Sequence, residues 1–157
     1  MKVSVLIGVL VAVLASGALA STSSSTGSRQ LVLYGHVKSV THTAAGYRMQ
    51  YDPALWLTGT AAEHACGCRP VANDYYVVDE THRLLTFRVR PDARVTVLVQ
   101  RDGPIGTATI PVSELAQIVA GKNPRHRRLL EPQAGFWITV SNKYPSPVVS
   151  LEQQYQP

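Results

Sequence analysis

LVLYGHVKSVTHTAAGYRMQYD, residues 31–52, is the stretch that decides the fold. Its first ten residues are rich in β-branched and aromatic side chains. After a turn around Ala45 and Gly46, the residues Tyr47, Met49 and Tyr51 alternate with Arg48, Gln50 and Asp52. Successive side chains on a strand point to opposite faces, so an apolar period of two marks a strand with one face buried. Two such runs around a short turn predict a β-hairpin.

Working outward, the same period recurs downstream. Residues 74–79 (DYYVVD) and 84–89 predict strands, the latter with Leu85, Phe87 and Val89 alternating with Thr86, Arg88 and Arg90. A further strand is expected over 94–100, with Val95, Val97 and Val99 on one face, then a turn at Asp102-Gly103-Pro104. Phe136, Ile138 and Val140 predict another strand; residues 142–147 turn the chain, and 148–155 return it with Val149 and Leu151 inward. Two helices interrupt the strands. Asp52-Pro53 is expected to open a helical turn, with Asp as cap and Pro where its missing N–H costs nothing. Thr60 and Glu63 match a capping box ahead of a short helix over 61–65 that stops near Gly67 and Pro70. Leu115, Ile118 and Val119 mark the second helix, between Ser113 and Gly121. Short hairpin-linked strands with two short helices predict an α+β domain, mostly antiparallel β, built as a small, partly open barrel or roll of OB-like type.

The N-terminus carries a different signal. Lys2 precedes an apolar run over 3–14, and Ala18-Leu19-Ala20 ends it with small residues at the positions signal peptidase reads. The run falls short of the about 20 apolar residues that span a bilayer. Residues 1–20 are therefore expected to be a cleaved signal peptide, which predicts a secreted, extracellular protein with no transmembrane anchor after cleavage. Ser21 stands where a lipoprotein would need cysteine. Residues 21–30, Ser/Thr-rich, read as a flexible leader, and 31–157 as a single β-rich domain. Removing Lys2 takes the formal net charge from +5 to +4. That basic excess favours an anionic cell-envelope polymer and, with export, excludes nucleic acid as the expected partner.

Three segments resemble a family of uncharacterised secreted bacterial proteins of actinomycete type that end in E-Q-Y-x-P. They are residues 51–59 (YDPALWLTG) with the Ala-rich helix after them, residues 73–79 (NDYYVVD), and the terminal EQQYQP at 152–157. The resemblance covers the chain from about Leu33 onward. It implies one intact domain and, since the family has no assigned activity, carries over no catalytic or binding residue. Where the family pattern continues with an acidic, helical stretch, this chain has Cys66-Gly67-Cys68-Arg69-Pro70.

That departure is the most chemical-looking segment. His64, Cys66 and Cys68 offer imidazole and thiolate ligands suited to Zn²⁺ or Cu(I). Exported thiols are usually oxidised, and Gly67 opens backbone space, so a local Cys66–Cys68 disulfide is the first reading, with free or intermolecular thiols and a metal site as the others. Lys122, Arg125, Arg127 and Arg128 form a compact cationic loop: an anion-binding site through bidentate Arg contacts, or a solvated loop. Tyr47, Tyr51, Tyr75, Tyr76, Trp56 and Trp137 either line a groove for sugar or peptide or fill the core. Tyr75 and Tyr76, adjacent on a strand, must point to opposite faces.

Catalytic signatures are missing. The chain has no G-x-S-x-G, H-E-x-x-H or P-loop. Asp74, Asp79 and Glu80 near His82 are the acidic candidates, although Asp79-Glu80-Thr81-His82 reads first as a polar turn. The expectation is a secreted, non-enzymatic binding domain with a protein or anionic cell-envelope partner and no cofactor. An extracellular hydrolase, or a metal- or redox-responsive module on His64, Cys66 and Cys68, are the alternatives.

Overall fold

A computed structural model of the chain describes residues 30–80, 83–100, 102–141 and 146–157. The expected signal peptide, all but the last residue of the expected leader, His82 and most of the 142–147 turn lie outside them.

The hairpin read from residues 31–52 forms. Strands β1 (Leu31–Thr43) and β2 (Gly46–Thr58) pair antiparallel and meet with Thr43 opposite Gly46. Gly46 has φ +109°, a backbone state that glycine adopts without Cβ strain. At the other end, a Cβ on Gly35 would overlap the Asp52 carbonyl oxygen, so only glycine permits the close approach of the two strands there.

Helix α1 (Gly59–Cys66), a short 3₁₀ turn (Ala72–Asp74) and β3 (Tyr75–Val78) follow. Then come β4 (Leu85–Gln100), β5 (Ile105–Ile110), α2 (Val112–Val119), β6 (Phe136–Val140) and β7 (Val148–Gln153). Hydrogen-bonded neighbours run β1–β2–β4–β7–β6 and back to β1, a closed five-stranded ring in which only β4 and β7 are parallel. Numbered within the ring, the order is first, second, third, fifth, fourth, with a helix between the third and fourth: a small α+β barrel of OB-like kind. Closure leaves the ring without a free edge. β3 extends the sheet beyond β2, and β5 extends it beyond β4.

Inward positions follow the sequence period. Met49, Tyr51, Phe87, Val89, Val95, Val97, Phe136, Ile138, Val140 and Leu151 fill the barrel, and α2 plugs it with Val112, Leu115 and Ile118. Tyr51 adds a polar tie: its hydroxyl lies 3.1 Å from the Leu33 carbonyl and 3.0 Å from that of Phe136. Gln153 is the buried amide of the core. Its Oε1 accepts from the Leu98 N–H, and its Nε2 donates to the carbonyls of Leu130 and Glu131, which fastens the 127–131 loop to the barrel.

Several local expectations are corrected. Asp52-Pro53 opens no helix; both residues continue β2, opposite His36 and Gly35. Cross-strand pairing and burial of Tyr51 and Asp52 override a local cap. The Thr60–Glu63 capping box does not form, because the helix starts at Gly59 with Thr58 as its cap residue and no side-chain cap bond. Its C-terminus is as read: Gly67, with φ +64°, donates its N–H to the Glu63 carbonyl. The strands expected at 84–89 and 94–100 are one strand, β4, which pairs with β2 along its first half and with β5 along its second. Pro91 and Asp92 sit where it passes from one partner to the other. β5 carried no clear alternation and was not foreseen. In β7 the inward pair is Val148 and Leu151, with Val149 only half-buried. The register slips by one residue between Thr139 and Val140, and this bulge inverts the phase on one side of it.

Candidate functional site

On the outside of the ring, β1, β2 and β6 present an aromatic cluster. Tyr34 stands opposite Ala54 on one side and Trp137 on the other. Its ring centroid is 4.9 Å from Trp56, edge to face, and 5.0 Å from Trp137, in a tilted contact. The 3₁₀ turn and β3 lay Tyr75 flat on Trp56, with centroids 4.0 Å apart. The C-terminal segment then crosses the cluster. The Trp137 indole N–H donates to Gln154 Oε1 at 2.9 Å, Gln156 Nε2 donates to the Tyr34 hydroxyl at 2.7 Å, and Asn73 Nδ2 donates to the Pro157 carbonyl at 3.2 Å. Burial, with Tyr75 nearby, pushes the Tyr34 hydroxyl up to about 12.

Beside the cluster lies a groove of about 360 Å³ lined by Leu33, Tyr34, Pro53, Ala54, Leu55, Val78 and Glu80. It opens where β2 has left β4, whose pairing with it ends at Tyr51 and Leu85, and runs on with β3. Leu55 is 61% exposed, and Val32, Leu84 and Tyr76 are exposed as well. Sequence reasoning missed Leu55. Its signal was present: residues 53–57, PALWL, are apolar without alternation, so β2 carries apolar groups on both faces there, and Leu55, in phase with Met49 and Tyr51, is uncovered where β2 runs beyond β4.

The aromatic candidates divide. Tyr51 is core, and Tyr47 packs against it. Tyr34, which was not among the candidates, joins Trp56, Trp137 and Tyr75 in the outer cluster. Tyr76 is exposed while Tyr75 is half-buried, on opposite faces of β3.

The cationic loop is largely engaged within the fold. Glu114, on α2 and only 3% exposed, accepts from Arg127 Nε at 2.5 Å and Nη2 at 3.4 Å, and Arg125 Nε stands 3.3 Å away. These hydrogen bonds hold the Arg127 guanidinium above its usual range. Asn123 clamps the Arg127 backbone through both its amide nitrogen and its oxygen. Arg128 pairs with Asp102 at 2.8 Å, both well exposed. Lys122 is exposed. Three of the four cations thus face carboxylates of this chain.

Cys66 and Cys68 are joined to each other at the end of α1. With both sulfurs in that bond, neither is a thiolate beside the exposed His64. No group of three metal-ligating side chains occurs among the described residues. Of the acidic candidates, Asp74 closes the 3₁₀ turn, Glu80 borders the groove, and Asp79 Oδ2 lies 3.6 Å from His36 Nδ1, longer than a hydrogen bond. Among the described residues these carboxylates are not gathered into one pocket with a base; His82 lies outside the described residues. Among the described residues no helix is long and apolar enough to cross a membrane. No family model, curated protein or solved structure matches this chain.

Proposed function

We propose that the chain is a secreted, non-enzymatic binding domain that takes an extended apolar segment of a protein partner in the groove beside Leu55. The observation that carries this reading is the exposure of Leu55 at the lip of an open apolar groove. A large apolar side chain held out on a paired strand gains by being covered. β3 ends the sheet, so an extended segment can run alongside it with its side chains set into the groove. The rigid aromatic cluster behind the groove keeps its wall preformed, which lowers the ordering cost of association.

Export is part of the same proposal and rests on residues 1–20. The resemblance to secreted actinomycete-type proteins belongs to it too. In its support, the three segments that carry the resemblance meet at one place, through Trp56, Tyr75 and the Gln154–Gln156 contacts.

Selection of peptides from a displayed random library on the immobilised protein tests the reading. Peptides with alternating apolar residues should be enriched. Covering an exposed leucine is worth about 1–2 kcal/mol, and a carboxylate in its place adds a desolvation cost, so Leu55→Asp should weaken them by at least about 10-fold. Its thermal midpoint should stay unchanged. Peptides that bind Leu55→Asp as tightly as the native protein would remove the groove from the account.

A further inference from the structure

Two cationic side chains outside the 122–128 loop are left by the fold without a carboxylate partner among the described residues, and they stand together. Across the outer face of β1, β2 and β4, two rows of residues stand in register: Ser39, Gln50 and Thr86 in one, Thr41, Arg48 and Arg88 in the next. Arg48 and Arg88 are thus directly opposite each other on neighbouring strands. Both are exposed, and neither makes an ion pair within the described residues. Directly opposed side chains have their Cβ atoms about 4.5–5.5 Å apart, and like charges so placed repel. The nearest cation along β4, Arg90, is already held by Asp92 through two hydrogen bonds. No carboxylate stands on the six-residue grid.

Next to this pair is a shallow groove of about 280 Å³ lined by Ser39, Thr41, Thr43, Arg48 and Gln50. Its lining is hydroxyls, an amide and one guanidinium. The size sits below the roughly 300–1,000 Å³ of pockets that enclose a small molecule, and a strip from Thr43 to Ser39 runs for about 13 Å at the strand rise. An open strip of that length suits an extended chain lying along the strands, with Arg88 beside it on β4.

We infer that Arg48 and Arg88 form a binding site for a phosphodiester-linked polyol polymer. A tetrahedral phosphate offers oxygens in more than one plane, so two guanidinium groups on adjacent strands grip it together, and the anion removes their mutual repulsion. The hydroxyls and the Gln50 amide alongside take the polyol hydroxyls between phosphates. A single-stranded nucleic acid carries the same phosphates but needs aromatic faces on which its bases stack, and the grid has none. A polyuronate supplies planar carboxylates that one arginine satisfies alone. Arg48 lies seven residues along β2 from Leu55, about 23 Å at the strand rise, so the two are separable. This inference shares only the export premise with the proposed function, and each site fails or stands alone.

Binding of the native protein to immobilised poly(glycerol phosphate) tests it, with oligothymidylate and polygalacturonate of equal charge number as comparison probes. At 50 mM NaCl, poly(glycerol phosphate) should bind at least 10-fold tighter than either. With one phosphate gripped by the two guanidinium groups, raising salt to 200 mM should weaken it about 3-fold. R48Q/R88Q should weaken it at least 10-fold while its thermal midpoint is no lower than the native one, since a repulsion is removed. K122Q/R125Q/R128Q should change it less than 2-fold, and Leu55→Asp should leave it intact while losing its peptides. Undiminished binding by R48Q/R88Q, equal binding of either comparison probe, or no binding at 50 mM NaCl overturns the inference.

Discussion

Replacing Arg127 by glutamine decides what the cationic loop is for. Glu114 is only 3% exposed, and its strongest partner is Arg127, itself three-quarters covered. Breaking a fully buried pair by removing one partner costs about 3–5 kcal/mol, because the other charge is left buried. Here Arg125 remains 3.3 Å from Glu114, on a side chain that is 64% exposed, and solvent reaches the site from that side. The expected loss is therefore about 2–3 kcal/mol. For a domain of this size that is a fall of roughly 8–12 °C in thermal midpoint. Urea unfolding followed by tryptophan fluorescence measures it directly, since Trp56 and Trp137 lie on the barrel wall. Two controls separate the causes. E114L/R127M removes both charges and should lie within about 1 kcal/mol of native, because an apolar pair replaces a buried ion pair at little cost. R128Q, whose partner Asp102 is 94% exposed, should change stability by less than about 0.5 kcal/mol. If R127Q loses less than about 1 kcal/mol, or if E114L/R127M loses as much as R127Q, the assignment of Arg127 to the fold is wrong.

Other outcomes follow from the same contacts. Tyr34 and Tyr51 both hold their protons more tightly folded than unfolded, Tyr34 up to about 12 and Tyr51 well above its usual value through burial. Their stabilisation is complete below about pH 10 and is lost as pH rises toward the folded values, by about 1.4 kcal/mol per pH unit for each. Tyr34→Phe should flatten that alkaline decline in a pH series of urea unfolding; superimposable curves would contradict it. Reduction of the Cys66–Cys68 bond should lower stability by at most about 1–2 kcal/mol, because a three-residue loop releases little chain entropy. A midpoint shift on reduction equivalent to more than about 3 kcal/mol would mean the bond does more than close that loop.

By itself the sequence determined the parts whose physics is local. The period of two placed the β1–β2 hairpin and the inward faces of β4 and β6, and the helical spacing placed α2, because burial of one face fixes side-chain phase residue by residue. It also set the class, a small barrel with two helices. Only the tertiary structure decided how those parts join. Asp52-Pro53 reads as a helix start until β1 is laid beside it, and Val149 reads as inward until the β6–β7 bulge shifts the phase. Nothing local distinguishes Arg127, drawn down onto Glu114, from Arg48 and Arg88, left facing each other. Pairing partners lie 13 residues away in one case and on separate strands in the other, and charge balance at a surface depends on which strands become neighbours. The aromatic cluster shows the same limit: Tyr34, Trp56, Tyr75, Trp137 and Gln156 come from both ends of the domain, and ring closure is what brings them into contact.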